Sequence, residues 1–441
     1  MASNTPSLRI LMFPWIAHGH LFPFLELAKK LSSRNFHIYF CSTPINLDSI
    51  KNNLNDLSYS IKLVELILPS LPDLPPHYHT NKNVPPHLMP LLLQAFQMSA
   101  PVFAGIVASL KPDLLIYDAF QPWGAKAAAA HGIPAVFFSA ANSASLAFFH
   151  HMYTHKNCDS FPHSDIRLRD YEMRDLIAQS AYMEQVQDKD QGFAFGVLRL
   201  SSEIVLIKSC RGIEDKYADY LSKLSERKVL FTGVLVPKPE REGLEIMKWL
   251  RERKPRSTLY ISFGSENYLS KEQMVEIAKG LEKIDVSFIW VARPPAGEAA
   301  CELPEGFEER TRERGVVLRE WAAQAAILAG DGVGGFMTHC GWSSVSESVW
   351  FGVPVVGLPL KYDQTVNARM AVEAGIGVEV ARGGNGEIDG GAVAKAVEEV
   401  MGEGGEVFRR RVGDWRKKME IEEVGAIDQV VKELSRLCVN K

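Results

Sequence analysis

The stretch FMTHCGWSSVSE, residues 336–347, sets a histidine, a cysteine, a glycine and several serines between an apolar run and a helix-prone one. A strand-to-helix junction built of small residues exposes backbone N–H groups at the positive end of a helix dipole, which is an anion site. Ser344 and Glu347 also fit the spacing of a capping box, in which they would only satisfy helix N–H groups. From this stretch alone both readings stand. A thiol nucleophile at Cys340 activated by His339 is disfavoured, because sequence neighbours on a turn point in different directions. His20, in AHGHLF, and Asp118, in IYDAF, each follow an apolar run. An imidazole suits base work near neutrality, and a carboxylate can hold its second ring N–H. On a purely structural reading His20 is a residue of a helix N-terminus and Asp118 an N-cap.

Other patterns carry less. His150, His151 and His155, and His77, His79 and His87, cluster in sequence but lack cysteine partners or an H-E-x-x-H pair, so no metal site is expected. GDGVGG, residues 330–335, fits G-x-G-x-x-G. It follows the helical QAAILA and precedes a strand, the reverse of a dinucleotide fingerprint. No P-loop pattern occurs.

These residues need a scaffold. The chain has 441 residues, 46% hydrophobic and 23% charged, with a formal net charge of -4. That is ordinary globular composition, ample for two or three domains, and not basic enough for a nucleic-acid partner. The six cysteines are scattered without a CxxC pair, as free thiols in a reducing compartment would be. The N-terminus lacks the pattern of a signal peptide. Residues 127–155 carry no Lys, Arg, Asp or Glu, but Pro134, Asn142 and several serines and histidines mark buried helix and strand, and no transmembrane segment is expected.

LRILMFP, FHIYFCS, PDLLIYDAF, IPAVFFS and EIVLIKS are short apolar runs separated by helix-prone stretches, which predicts βαβ units. GVLVPKPEREG reads as a linker. The pattern then restarts with STLYISFG, VSFIWVA, GVVLREW, VGGFMTH and PVVGLP, and closes in amphipathic helices over 392–437. The fold class is α/β, two doubly wound domains. Facing each other, they would form a cleft at the carboxyl ends of their strands.

Read outward, the opening stretch becomes WAAQAAILAGDGVGGFMTHCGWSSVSESVWFGVPVVGLPLKYDQ, residues 321–364. This closely resembles the signature of the plant secondary-product UDP-glycosyltransferases of family 1, whose fold is GT-B. W-A-x-Q, I-L, G-G-F, T-H-C-G-W, S-x-x-E, G-V-P and D-Q all stand at the right offsets. FPWIAHGHLFPFLELAKKL, KPDLLIYDAFQPWG and KWLRERKPRSTLYISFGS resemble further parts of the family, so the likeness covers nearly the whole chain. Three positions depart from it. Ala323 stands where proline is common, Gly330 where histidine is, and Ser343 where asparagine is. Serine reaches less far than an amide, which bears on a phosphate contact.

The resemblance implies a UDP-sugar donor site. Trp321 would stack on uracil and the Ala322 backbone would read its edge. Gln324 and Glu347 would hold the ribose. His339, Ser343, Ser344 and Ser265 would hold the diphosphate. The Trp342 backbone, Asp363 and Gln364 would hold sugar hydroxyls, with glucose the preferred sugar. The family pattern G-H-x-x-P selects His20 over His18 as general base, with Asp118 behind it. It also implies an inverting displacement without a cofactor or metal, UDP-glucose being a substrate. The implied domains are 1–235 for the acceptor, a linker over 236–247 and 248–423 for the donor, with a final helix over 424–441 returning onto the first.

NFHIYFCSTPINLDSIK, LPSLPDLPPHYHT and VPPHLMP most resemble the branch-forming members, which add a sugar to a sugar already on a flavonoid or triterpenoid. The expected partners are therefore a UDP-sugar and a small-molecule glycoside, for a cytoplasmic monomer. Direct transfer to an aglycone is the alternative. A nucleotide-sugar epimerase or a non-catalytic UDP-sugar binder is the alternative of another class.

Overall fold

The computed structural model describes residues 8–54, 59–185, 196–239, 245–294 and 303–439. Cys301 and residues 240–244 of the expected linker lie outside them. The chain forms two compact units: Met1–Cys158 with Tyr182–Leu235 and Glu420–Lys441, and Asp159–Ala181 with Val236–Met419.

The first unit holds strands β1 (Arg9–Phe13), β2 (His37–Ser42), β3 (Ile61–Glu65), β4 (Leu114–Tyr117), β5 (Ala135–Ser139), β6 (Ile204–Ile207) and β7 (Lys228–Phe231). They pair in the order β3-β2-β1-β4-β5-β6-β7, every pair parallel. The sequence patterns did not mark β3 and β7. β3 reads IKLVE, with Lys62 and Glu65 exposed, as suits a sheet edge; β7 is only KVLF.

β1 shows how the core forms. Ile10, Leu11, Met12 and Phe13 are fully buried, so the strand reads as a continuous apolar run, as parallel strands covered on both faces do. The following helix, His18–Ser32, buries Leu21, Phe24, Leu25, Ala28 and Leu31, a stripe at helical spacing. Lys29 and Lys30 lie in its last turn, where cations suit the dipole. Its stripe meets Ile10, Met12, Phe40, Ile116 and Phe138, and also Ile427, Val430 and Leu434 of the long helix Glu406–Val439. The last turns of the chain are thus part of the first unit's core, and truncating Leu434 to alanine would cost roughly 2–5 kcal/mol.

One segment, Pro86–Leu110, is by length and composition apolar enough to cross a membrane. Leu92, Leu93, Phe96, Phe103 and Val107 in it are buried, and Phe103 stacks on Phe13 at 4.1 Å between centroids, as in a core helix.

The second unit holds β8 (Thr258–Ser262), β9 (Ser287–Val291), β10 (Gly315–Leu318), β11 (Val333–Thr338), β12 (Val355–Gly357) and β13 (Gly377–Glu379). Their order is β10-β9-β8-β11-β12-β13, again parallel. The sequence patterns also missed β13, three residues long. Each sheet therefore reverses its direction of growth once, between β1 and β4 and between β8 and β11. In doubly wound sheets the crevice outside the strand carboxyl ends at such a point is where ligands bind.

The sequence reading put all of 1–235 in one domain, but Asp159–Ala181 packs with the second unit. A four-residue charge cluster joins it there. Arg169 Nη1 lies 2.7 Å from Glu379, Arg369 Nη2 lies 2.8 Å from Glu172, and Arg369 also pairs with Glu379. The two carboxylates are only 6% and 7% exposed. Each is matched by an opposite charge, which is what makes burial of such groups tolerable.

Candidate active site

In the first unit the switch point carries His20 and Asp118. After β1, Trp15, Ile16 and Ala17 are buried, and His20 falls in the first turn of the next helix. Asp118 directly follows the neighbouring strand β4 and is 1% exposed. Its Oδ2 lies 2.8 Å from His20 Nδ1 and accepts from the Trp15 N–H at 3.0 Å, while Oδ1 accepts from the Ala119 N–H at 2.7 Å. A carboxylate approached by these donors acts as acceptor, so the imidazole proton sits on Nδ1 and Nε2 is the basic nitrogen. Asp118 is not an N-cap: the helix Pro122–Ala129 is preceded by Gln121, whose side chain instead donates to the Phe13 carbonyl at 2.6 Å. The rival His18 packs edge-on against Phe22.

In the second unit β11 ends at Thr338, one residue before the end of the run VGGFMTH read from the sequence, and a helix spans Trp342–Trp350. The capping box does not form. Gly341 is the N-cap, no side chain caps the helix, and Ser344 already lies inside the first turn. Cys340 turns the chain with a φ of 64°, and Asn367 Nδ2 holds its carbonyl at 2.9 Å. A left-handed cysteine is a strained position, held by its surroundings.

His339 sits between two glycines. A Cβ on Gly264 would come within 2.7 Å of its Cε1, and a Cβ on Gly341 would collide with its Nε2. Burial, aided by the Lys361 charge, pushes its pKa down to about 3, so at neutral pH the ring is an uncharged hydrogen-bonding group. Cys340 is fully buried and its thiol is pushed up to about 12, which agrees with its rejection as a nucleophile.

Glu347, 8% exposed, accepts from Gln324 Nε2 at 2.9 Å, and the same amide lies 3.4 Å from Ser344 Oγ. Gln324 opens the short helix Gln324–Leu328, and next to it Ala322 is half-buried while Trp321 is 69% exposed. Ser343 is half-buried, and Trp342 and Ser344 are buried. Ser265 is half-buried in the loop after β8, the strand paired with β11. The fold thus gathers Ser265 and residues 339–344 at the switch point of the second sheet. Gly330 packs against Leu250: a Cβ there would lie 2.5 Å from Cδ2, so a larger residue would require that leucine side chain to shift.

Asp363 and Gln364 follow β12. Asp363 Oδ2 accepts from Asn367 Nδ2 at 2.9 Å. Gln364 is 4% exposed, and its Oε1 accepts from the N–H groups of Leu360 and Lys361 at 3.0 and 2.9 Å. Its Nε2 reaches Asn267 Oδ1 at 3.3 Å. This glutamine is a brace for its own loop, whatever else it binds. Asn267 and Lys361 are the residues the sequence reading left without a role. Lys361 stood inside the quoted signature, the one cation between an apolar strand and Asp363.

Among the described residues no group of three or more His, Cys, Asp or Glu is placed to hold a metal ion. His151 instead pairs with the Tyr220 hydroxyl at 2.5 Å.

Residues 6–236 match the family described as "Glycosyltransferase, N-terminal domain", and residues 229–410 match "UDP-glucoronosyl and UDP-glucosyl transferase". The chain is 49% identical over 404 residues to a "Mogroside IIIx synthase" of Siraitia grosvenorii, covering 89% of each chain. It is 44% identical over 436 residues to a "Beta-D-glucosyl crocetin beta-1,6-glucosyltransferase" of Gardenia jasminoides, covering 97% of this chain and 98% of the other. UGT73P12 of Glycyrrhiza uralensis, solved with glycyrrhetinic acid 3-O-monoglucuronide, superposes with a TM-score of 0.86 at 24% identity over 98% of this chain and 97% of that one. With two doubly wound sheets, a His–Asp pair at one switch point and the T-H-C-G-W turn at the other, the chain belongs to the plant secondary-product UDP-glycosyltransferases of family 1 and has the GT-B fold.

Proposed function

We propose that this glycosyltransferase moves glucose from UDP-glucose, with inversion, onto a sugar hydroxyl of a small-molecule glycoside, flavonoid or triterpenoid, extending or branching its sugar chain. The observation that carries the chemistry is the His20–Asp118 pair. Nε2 of His20 takes the proton of the acceptor hydroxyl as its oxygen bonds to the anomeric carbon. The bond from that carbon to the diphosphate oxygen breaks, and UDP leaves with the electron pair. Asp118 holds the imidazolium that forms. On the donor side Trp321 stacks on uracil, Ala322 reads its edge, and Gln324 and Glu347 hold the ribose. Ser265, His339, Ser343 and Ser344 hold the diphosphate at the helix N-terminus, and the Trp342 backbone, Asp363 and Gln364 meet the glucose.

The glycoside acceptor is supported by the relative from Gardenia, whose name describes glucosyl transfer to an already glucosylated molecule. The reaction needs no metal on this reading. A cytoplasmic setting suits Cys41, Cys210 and Cys340, which are buried outside any disulfide. The test is a screen of paired aglycones and monoglucosides with UDP-glucose, the new linkage assigned by NMR. A product bearing its new glucose directly on the aglycone overturns the acceptor assignment.

A further inference from the structure

The loop between β12 and the helix Gln364–Glu373 carries a lysine that the site as described does not use. Lys361 is fixed in place by its neighbours. Its backbone N–H is held by the Gln364 side chain at 2.9 Å, and the next residue, Tyr362, takes a φ of 56°. A left-handed tyrosine is an uncommon backbone state, kept where the surroundings require it. The Lys361 side chain reaches the loop after β8. Its Nζ donates to the Glu266 carbonyl at 2.8 Å. Glu266 directly follows Ser265, and Gly264, one residue earlier, lies against the His339 ring. The ammonium therefore stands on the loop that carries Ser265 and within electrostatic reach of His339, whose protonation it opposes.

The charge of the donor makes this placement matter. A leaving diphosphate carries full negative charges. The His339 ring is neutral at pH 7, the serines offer uncharged donors, and a helix N-terminus supplies only about half a positive charge. Lys361 brings an ammonium to the same loop, one whose pKa burial lowers, as for an ammonium held away from water. An ammonium has three donors, and Glu266 uses one of them.

We propose that Lys361 is a cationic ligand of the donor diphosphate, contacting it through the donors not spent on Glu266 and stabilising UDP as it leaves. This rests on the donor site placed above around Ser265 and His339. The phosphate is the discriminating group, so the test compares UDP with uridine. Calorimetric titration of the full-length Lys361→Met protein is expected to show UDP affinity reduced by about 10- to 100-fold, with uridine affinity changed less than about twofold. The turnover number should fall as well, and Lys361→Arg should recover part of both. Lys361→Gln keeps a donor for the Glu266 carbonyl, so it carries the same comparison if the methionine variant does not fold. Parallel loss of UDP and uridine affinity, or no loss of either, makes Lys361 a clamp for the loop and overturns the proposal alone. A wild-type protein that binds neither ligand overturns the donor site and this proposal together.

Discussion

Glu347 does not cap the helix it belongs to; its carboxylate accepts a hydrogen bond from Gln324, which begins a different helix, at 2.9 Å. Two polar side chains from separate elements are thereby held together at a nearly buried position. Glu347→Ala is expected to weaken UDP-glucose binding by about tenfold or more, with a melting temperature close to wild type. Calorimetry and thermal melting read the two separately. Unchanged affinity with about 1 kcal/mol of lost stability would leave Glu347 a structural partner of Gln324 only.

His20→Ala should lower turnover by about 10²- to 10⁴-fold while UDP binds as before. Asp118→Asn should also slow turnover, because an amide facing Nδ1 no longer fixes the tautomer that leaves Nε2 basic. Near-normal rates in either variant, measured at saturating UDP-glucose, would remove the pair from the chemistry.

The depressed His339 gives a pH signature. Its folded pKa, about 3, lies below the ordinary 6.5, so the folded state resists protonation. The group costs nothing above about pH 6.5, and stability is lost as pH falls from there toward about 3. Between about pH 7.5 and about pH 5 this amounts to about 2 kcal/mol. Urea unfolding of His339→Gln should show a correspondingly smaller loss over that range. Equal slopes for the two proteins would contradict it.

The Arg369–Glu172 pair, 2.8 Å apart with both side chains largely buried, should be costly to break. Glu172→Ala is expected to destabilise the protein by about 3 kcal/mol, since it leaves buried arginine charge less well matched. The double replacement Glu172→Met with Arg369→Met should cost less than the sum of the single ones, by denaturant titration. Additive losses would mean the two do not act as a unit.

For the acceptor, a monoglucoside should exceed its own aglycone in kcat/KM by at least about 10²-fold. Polar groups arranged for sugar hydroxyls are left unpaired when only an aglycone enters. Initial rates on a matched pair decide it, and equal values would favour direct aglycone transfer.

The sequence by itself determined most of the scaffold and named the candidates for the chemistry. Apolar runs such as LRILMF and VGGFMT declare buried parallel strands, because side chains covered on both faces must be apolar wherever they point. The order of motifs in 321–364 named the candidate donor-site residues without coordinates. Short or edge strands such as β3, β7 and β13 stayed hidden, because alternating or three-residue patterns carry little periodic signal. Only the tertiary structure decided what each polar group touches. Ser344 and Glu347 had the spacing of a capping box, but spacing cannot report that Gln324 takes the carboxylate and that Gly341 begins the helix. His339 was legible as a candidate site residue, but not as a neutral one, because its desolvation comes from packing against residues such as Gly264, distant in sequence. Asp159–Ala181 belongs to the second unit through Arg169 and Glu172, whose partners Arg369 and Glu379 lie some 200 residues away along the chain. Local sequence encodes what an element can be; pairings at such separation are fixed only when the sheets bring the chain back on itself.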